Sequence, residues 1–457
     1  MFDQVQADQH EILDLIGIGI GPFNLGLAAM LKKTPEVQAL FLERKPKFEW
    51  HPGLLIEGTT LQVPFLADVV TMADPTSPFS FLNYLKEHQR LYHFYFLERF
   101  HIPRNEYNHY CQWVTQELDN CAFNRNVLNI QWEENDTDSH YRITAIDTET
   151  DTPVIYRARH LALGTGSVPN MDPRFSNLPS EDVFHSAHFL DNLERYRDAR
   201  SITVVGSGQS AAEVFHTLLQ EQETYGYKLD WFTRSNGFFP MEYSKLGLEH
   251  FSPEYTRHFH SLSPAARDEK IRNQDLLYKG ISASTIADIY DLLYERTVAG
   301  KETPARLLSH VELRDIKPTE QNGLRSYHLH GYHRDEQQHF THESDVVILS
   351  TGYQHSIPNF VSGIRHLIEW DEQGRYVIGE DYRLSLIHHR DNSVFIQNGE
   401  LHTHGVGAPD LGLGAFRNSV IINTLTGRDV YSVSERNVFQ QFGLVHQASQ
   451  QKSPVKG

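Results

Sequence analysis

Short apolar runs recur along this chain, each stopped by glycines and followed by a stretch of helical composition. ILDLI at 12–16 reads as a strand, with Gly17, Gly19 and Gly21 directly behind it and a helix predicted over 23–33. ALFL at 39–42 reads as a second, buried strand. The plan returns further on. Ile202 to Val205 form a strand and Gly206 and Gly208 a turn; Gln209 and Ser210 open a helix, with Ala211 at its close-packing position. Strand, tight turn, helix and strand make the βαβ unit of a doubly wound α/β fold, and it occurs twice.

Other stretches fill in the frame. ARHLALGTGSVP at 158–169 and SDVVILSTGYQHSIP at 344–358 each run apolar into Thr-Gly and then a proline. They read as the two crossings between an inserted unit and its host, where the chain turns without bulk near a cofactor. The expected organisation is a first unit from 1–170 and 346–440, an inserted unit at 198–345 and a flexible tail at 441–457. Pro64, Pro75 and Pro78 interrupt the apolar run LQVPFLADVVTMADPTSPFSFLNYL at 61–85, which therefore reads as loop and short helices. The aromatic-rich residues 79–97 are expected to be a core helix and its support. Helices are predicted over 107–117, over 281–295 with Ser282 or Ser284 as N-cap, and from Ala415. The last of these aims its N-terminus at a cofactor.

Composition narrows the function. The 457 residues are enough for two or three domains. A net charge of −18 argues against nucleic-acid binding. Cys111 and Cys121 make no disulfide framework and no CxxC pair. The start MFDQVQADQHE lacks the basic and apolar regions of a secretory signal, and no apolar run approaches the ~20 residues that span a bilayer. A cytoplasmic protein away from membranes is expected. His402 and His404 lack acidic or cysteine ligands at metal-site spacing, so no metal is expected.

The glycine runs carry the chemistry. Gly17 permits the first turn, Gly19 lets backbone approach a pyrophosphate, and the helix N-terminus offers free N–H groups to the phosphates. Pro22 stands at the third fingerprint position, where a missing N–H loses no partner. Glu43 ends the next strand, placed to accept from an adenosine ribose, so this site suits FAD or NAD. The second unit ends its next strand in Thr233-Arg234-Ser235, without a carboxylate. Arg234 can pair with a 2′-phosphate, so this site suits NADPH. A flavoprotein of this plan without redox cysteines must pass its electrons to another acceptor, usually oxygen.

Assembled, these residues resemble the flavin-dependent N-hydroxylating monooxygenases of siderophore biosynthesis: the lysine, ornithine and aliphatic diamine N-hydroxylases. The resemblance runs from Asp14 to about Arg428 and is most specific at GIGPFNLGLA (19–28), residues 61–85 and GSGQSAAE (206–213). Pro22 is a mark of that family. The resemblance implies FAD and NADPH domains of the class B flavin monooxygenase type plus a smaller, mostly helical substrate region at about 237–295. It implies that NADPH reduces FAD, that oxygen gives a C4a-hydroperoxyflavin, and that a neutral primary amine takes the distal oxygen to become a hydroxylamine. By motif position Gln62 lies beside the flavin ring, and Asp410, Gly412 and Leu413 fall in the C-terminal flavin loop. A homo-oligomer, dimer or tetramer, is also implied.

The chain departs from the ornithine enzymes at two places. Ala67 stands where they carry a lysine that grips the substrate carboxylate, and Leu248 where they carry an asparagine. A carboxylate beside two apolar side chains would be an unpaired buried charge. The expected substrate is therefore putrescine or cadaverine, with L-lysine as the alternative. Glu242, Glu249 and Asp275 are candidates to hold the far ammonium. A Baeyer–Villiger or sulfur oxygenase would share the double dinucleotide plan but not the 61–85 stretch. An inactive FAD-binding interaction protein would bind FAD without oxidising NADPH.

Overall fold

The computed structural model describes residues 11–134, 138–321 and 323–444. One sheet is built around Ile12–Ile18, in the order Cys121–Ala122, Ala39–Leu42, Ile12–Ile18, Thr152–Leu163, Ser139–Asp147 and Arg125–Glu134. Val394–Ile396 joins it beside the end of Thr152–Leu163. Ile12–Ile18 pairs in parallel with both its neighbours. Parallel strands lie between two layers, so they read as apolar runs; Leu15, Ile16 and Phe41 are fully buried. The helix Pro22–Met30 covers one face with all nine residues buried and packs against the helix Gly414–Thr426. Gly26 makes that approach possible, since a Cβ there would lie 2.7 Å from the Val69 carbonyl oxygen and from Asn418 Nδ2.

The second sheet is wholly parallel: Ala305–Leu308, Lys228–Phe232, Ser201–Val205, Val346–Leu349 and Val183–His185. Two of its strands lie outside the expected limits of 198 and 345. Val346–Leu349 pairs along Ser201–Val205 and Val183–His185 pairs along Val346–Leu349, so both complete the core of the inserted unit. Crossing back takes place only after Ser350. There Tyr353–His355 pairs antiparallel with Ser167–Pro169, so the two Thr-Gly stretches lie side by side.

The region at 237–295 is helical: Lys245–Leu248, Pro253–Ser261, Pro264–Asn273, Asp275–Tyr278 and Ala283–Arg296. Ser244, Ser252, Ser263 and Ser282 each cap a helix by accepting a backbone N–H, and Pro253 and Pro264 sit at first helical positions. An antiparallel meander, Val311–Gln321, Leu324–His333 and Gln338–Ser344, completes the inserted unit.

The aromatic stretch differs from expectation. Phe81, Tyr84 and Leu85 are buried, but the helix Leu91–Leu97 has no buried residue, and Tyr92, Tyr95 and Phe96 are more than 70% exposed. Its apolar residues are consecutive rather than spaced at the helical period, so they cannot all face one core. Of the expected tail, 445–457 lie outside the described residues. The segment before them is docked: Phe442 meets Tyr255 and His250 at 4.9 and 5.2 Å between ring centroids. Among the described residues no helix is long and apolar enough to cross a membrane.

Candidate functional site

The first glycine turn is shaped by what surrounds it. A Cβ on Gly17 would lie 2.1 Å from the Phe41 ring. Gly19 has φ +87°, and a Cβ there would lie 2.6 Å from the Gly164 carbonyl oxygen. Gly21 faces open space at the N-cap of the helix that Pro22 begins. The unpaired N–H groups of that helix's first turn therefore face room enough for a phosphate. The Glu43 carboxylate, at the end of its strand, accepts from the backbone N–H of Ile20 at 2.9 Å and of Lys45 at 3.0 Å. It ties the turn to the second strand and keeps lone pairs for a ribose.

Asn24, within the quoted motif but not singled out from sequence, locks this turn. Its amide donates to the carbonyls of Gly19 (2.8 Å) and Ala162 (3.2 Å), and its oxygen accepts from Gln397 Nε2 at 2.7 Å.

At the second turn Gly206 has φ +151°, with the Ser350 carbonyl oxygen 2.2 Å from where a Cβ would be. Gly208 is the N-cap of Gln209–Tyr225. Ser235 Oγ donates to Ser207 Oγ at 2.9 Å, and Arg234 beside them is exposed. Two hydroxyls and a guanidinium at the end of this strand suit a 2′-phosphate. Ser210 lies on the first turn of the helix, half-buried. The side chain of Gln209 is engaged within the protein: it donates to Glu213 (2.8 Å) and Thr285 (3.0 Å) and accepts from Ser282 N–H at 2.7 Å. That leaves its backbone N–H, at the first helical position, to meet a ligand.

Between the turns the proline-broken stretch folds around one buried carboxylate. Asp68 accepts from the backbone N–H groups of Val70, Thr71 and Phe81 and from the Thr71 hydroxyl, and burial raises its pKa. This fixes Gln62 and Ala67 upstream. Gln62 Nε2 is buried without a hydrogen-bond partner, and the Gln62 carbonyl lies 3.5 Å from the Tyr243 hydroxyl of the inserted unit. A buried donor without an acceptor is costly, about 1–3 kcal/mol, and fits a residue that meets a flavin ring. The open space at Gly21, the Glu43 carboxylate and the unpartnered Gln62 amide are together the residues that fit FAD.

The C-terminal loop closes the pocket from the other side. A Cβ on Gly412 would lie 2.9 Å from Asp410 Oδ1 and 3.8 Å from Ala67 Cβ, which brings the loop against the 61–85 stretch. Burial pushes the Asp410 carboxyl up to about 6, against the backbone N–H groups of Gly412 and Leu413. Burial and the Asp410 charge push the Tyr243 hydroxyl up to about 12. Arg417 fixes the approach to this loop: its guanidinium pairs with buried Glu400 at 3.0 Å and donates to the Ala408 carbonyl at 2.6 Å.

The three acids expected near the substrate are engaged elsewhere. Glu242 is exposed and accepts from Ser244 N–H at 2.6 Å. Glu249 accepts from the backbone N–H groups of Phe439 and Gln440 at 3.0 and 2.9 Å, anchoring the docked tail. Asp275 pairs with Lys279 at 2.8 Å. Leu248 ends a four-residue helix and is 41% exposed. His402 Nε2–H donates to the Tyr376 carbonyl at 2.7 Å, and His404 stacks on Tyr382. Sequence gave no sign of the pair that joins the units: Arg104 meets Glu213 at 2.8 and 2.9 Å, both largely buried.

Comparison with known proteins agrees with this geometry. Residues 11–355 match the family model of L-lysine 6-monooxygenase/L-ornithine 5-monooxygenase. The chain is 46% identical to the rhizobactin siderophore biosynthesis protein RhbE of Rhizobium meliloti, over 94% of this chain and 95% of that one. It is 43% identical to a putrescine N-hydroxylase of Shewanella oneidensis, over 97% and 87%. Among solved structures, the FAD-bound cadaverine monooxygenase DfoA of Erwinia amylovora superposes with a TM-score of 0.91 at 42% identity, over 96% of this chain and all of that one. The chain belongs to the lysine and ornithine N-monooxygenase family and is an NADPH- and FAD-dependent flavin monooxygenase.

Proposed function

We propose that this enzyme hydroxylates one primary amine of an aliphatic diamine, putrescine or cadaverine, to supply a hydroxylamine for hydroxamate siderophore assembly. The balance is one amine, one O2, one NADPH and one proton to one hydroxylamine, one water and NADP+. The observation that carries the substrate class is Ala67, a buried methyl facing Gly412 in the Gln62 pocket, with no charge to pair a substrate carboxylate. Similarity to a putrescine and a cadaverine hydroxylase supports the same reading.

FAD, reduced by NADPH, supplies the oxygen-activating chemistry. The protein's part is positional. Gly17, Gly19, Gly21, Pro22 and Glu43 seat the adenosine diphosphate half, and Gln62, Gly412 and Leu413 border the ring. Gly206, Gly208, Ser210 and Arg234 seat NADPH. The apolar walls favour the neutral form of the reacting amine, because burial disfavours its ammonium.

The deciding measurement is hydroxylamine formed per NADPH consumed with putrescine, cadaverine, L-lysine and L-ornithine at equal concentration. Coupled product from the diamines is expected; product mainly from lysine overturns the reading. We also read the chain as a cytoplasmic homo-oligomer. Free Cys111 and Cys121 and the exposed aromatic face of Leu91–Leu97 support this, and light scattering tests the association.

A further inference from the structure

We infer that Asp410 is the residue that holds the far ammonium of the substrate and so selects a diamine over a monoamine. The inference rests on the diamine reading above and adds the group that recognises the second amine.

Three observations place Asp410 there. Its Oδ1 and the Ala67 methyl border the same point, lying 2.9 and 3.8 Å from where a Gly412 side chain would begin. Tyr243, whose hydroxyl reaches the Gln62 carbonyl at 3.5 Å, lies within range of its charge, on the side of the residue expected beside the flavin. And the carboxylate has no cation within ion-pairing distance among the described residues.

The nearby Arg417 lies beyond ion-pairing distance: its Nη2 pairs with Glu400 at 3.0 Å and donates to the Ala408 carbonyl at 2.6 Å, so its charge lowers the Asp410 carboxyl only in part against the effect of burial. Nor do Glu242, Glu249 and Asp275 compete for the role, since each is held by partners of its own.

The chemistry follows from this placement. A half-buried carboxylate beside Ala67 and Gly412 lacks part of the solvation it would have in water. Two backbone N–H groups, of Gly412 and Leu413, offset part of that loss and fix its orientation. A primary ammonium brings a full opposite charge and up to three donors to the remaining lone pairs. A substrate carboxylate at the same point would meet repulsion instead, so one residue both attracts a diamine and rejects an amino acid whose carboxylate lies at that end.

The test compares cadaverine with n-pentylamine, and putrescine with n-butylamine, in the wild type, Asp410→Asn and Asp410→Glu. Hydroxylamine product is read alongside bound FAD by its visible absorbance. Wild type is expected to prefer each diamine strongly. Asp410→Asn is expected to lower the diamine-to-monoamine ratio of kcat/KM at least tenfold, mainly through the diamine KM, and Asp410→Glu to recover part of it. Calorimetric titration of cadaverine into the oxidised holoenzyme is expected to weaken by a similar factor.

An unchanged ratio in Asp410→Asn overturns the inference, as does purification of that variant without FAD, which would assign the carboxylate to the flavin. A wild type that takes n-pentylamine as readily as cadaverine overturns it without any variant. Preference for L-lysine over both diamines in the wild type sinks the diamine reading itself, and is thereby distinct from failure of the Asp410 assignment.

Discussion

The helix behind the first glycine turn, Pro22–Met30, is buried along its whole length, whereas the one behind the second, Gln209–Tyr225, buries only eight of its seventeen residues. Both turns use glycine for the same reason: a Cβ at Gly19 or Gly206 would strike a carbonyl oxygen of the neighbouring strand end. They differ in what closes them. Asn24, Gln397 and Glu43 bind the first into the core, while the second ends in an exposed Arg234 beside two hydroxyls. The enclosed turn suits a cofactor that stays through many cycles, and the open one a cofactor that is exchanged each cycle. One backbone device thus serves two purposes, set by the residues that follow it.

Cutting the tie between the two units should have the largest effect. Arg104→Ala leaves Glu213 as an unpaired buried carboxylate, and a loss of about 3–5 kcal/mol in unfolding free energy by urea titration is expected. A loss under 1 kcal/mol would mean that the units are held by apolar packing alone.

Acid should loosen the same seam. His185 Nδ1 accepts from Ala187 N–H at 3.1 Å and its Nε2–H donates to the Gly352 carbonyl at 2.9 Å, beside the crossing. Burial lowers its pKa to about 4, below the 6.5 of an unfolded histidine. Between those values only the unfolded chain takes up the proton. The stability is complete above pH 6.5 and declines as the pH falls toward 4, by roughly 3 kcal/mol in all. His185→Gln should flatten the slope of Tm against pH over that window.

The open turn is tested by Arg234→Ser. Preference for NADPH over NADH should fall roughly 30-fold, the equivalent of about 2 kcal/mol for a charged contact. If steady-state kinetics with both cofactors show no change, the 2′-phosphate is read elsewhere. The smallest effect belongs to the enclosed turn. Glu43→Gln places an amide N–H where one backbone donor now points, and should weaken FAD retention by about 1 kcal/mol, seen as flavin lost on gel filtration.

Much of this was legible along the chain because it is local. Ala39–Leu42 forms where the apolar run lies, and the two glycine turns, the Ser-Pro helix starts and the Thr-Gly crossings are written in consecutive residues. What escaped depended on residues far apart. Val346–Leu349 looked like part of the returning first unit, because a strand's sheet is chosen by its partners and not by its own composition. The aromatic residues of Leu91–Leu97 looked like core, because hydrophobicity alone does not say which side of a helix meets the protein.

By itself the sequence determined the βαβ units, their cofactor classes and the apolar character of position 67, since backbone conformation, strand-end charge and side-chain size belong to single residues and short spacings. Only the tertiary structure decided which acids are tied down by the rest of the chain and which is left without an ion-pair partner among the described residues. Glu249 and Asp410 are both carboxylates near glycine or leucine in the chain, but one anchors the C-terminal segment and the other lies near Ala67 with no ion-pair partner among the described residues. The physical reason is that a charge acquires its role from what surrounds it, and those surroundings are assembled from segments that the chain separates by more than 300 residues.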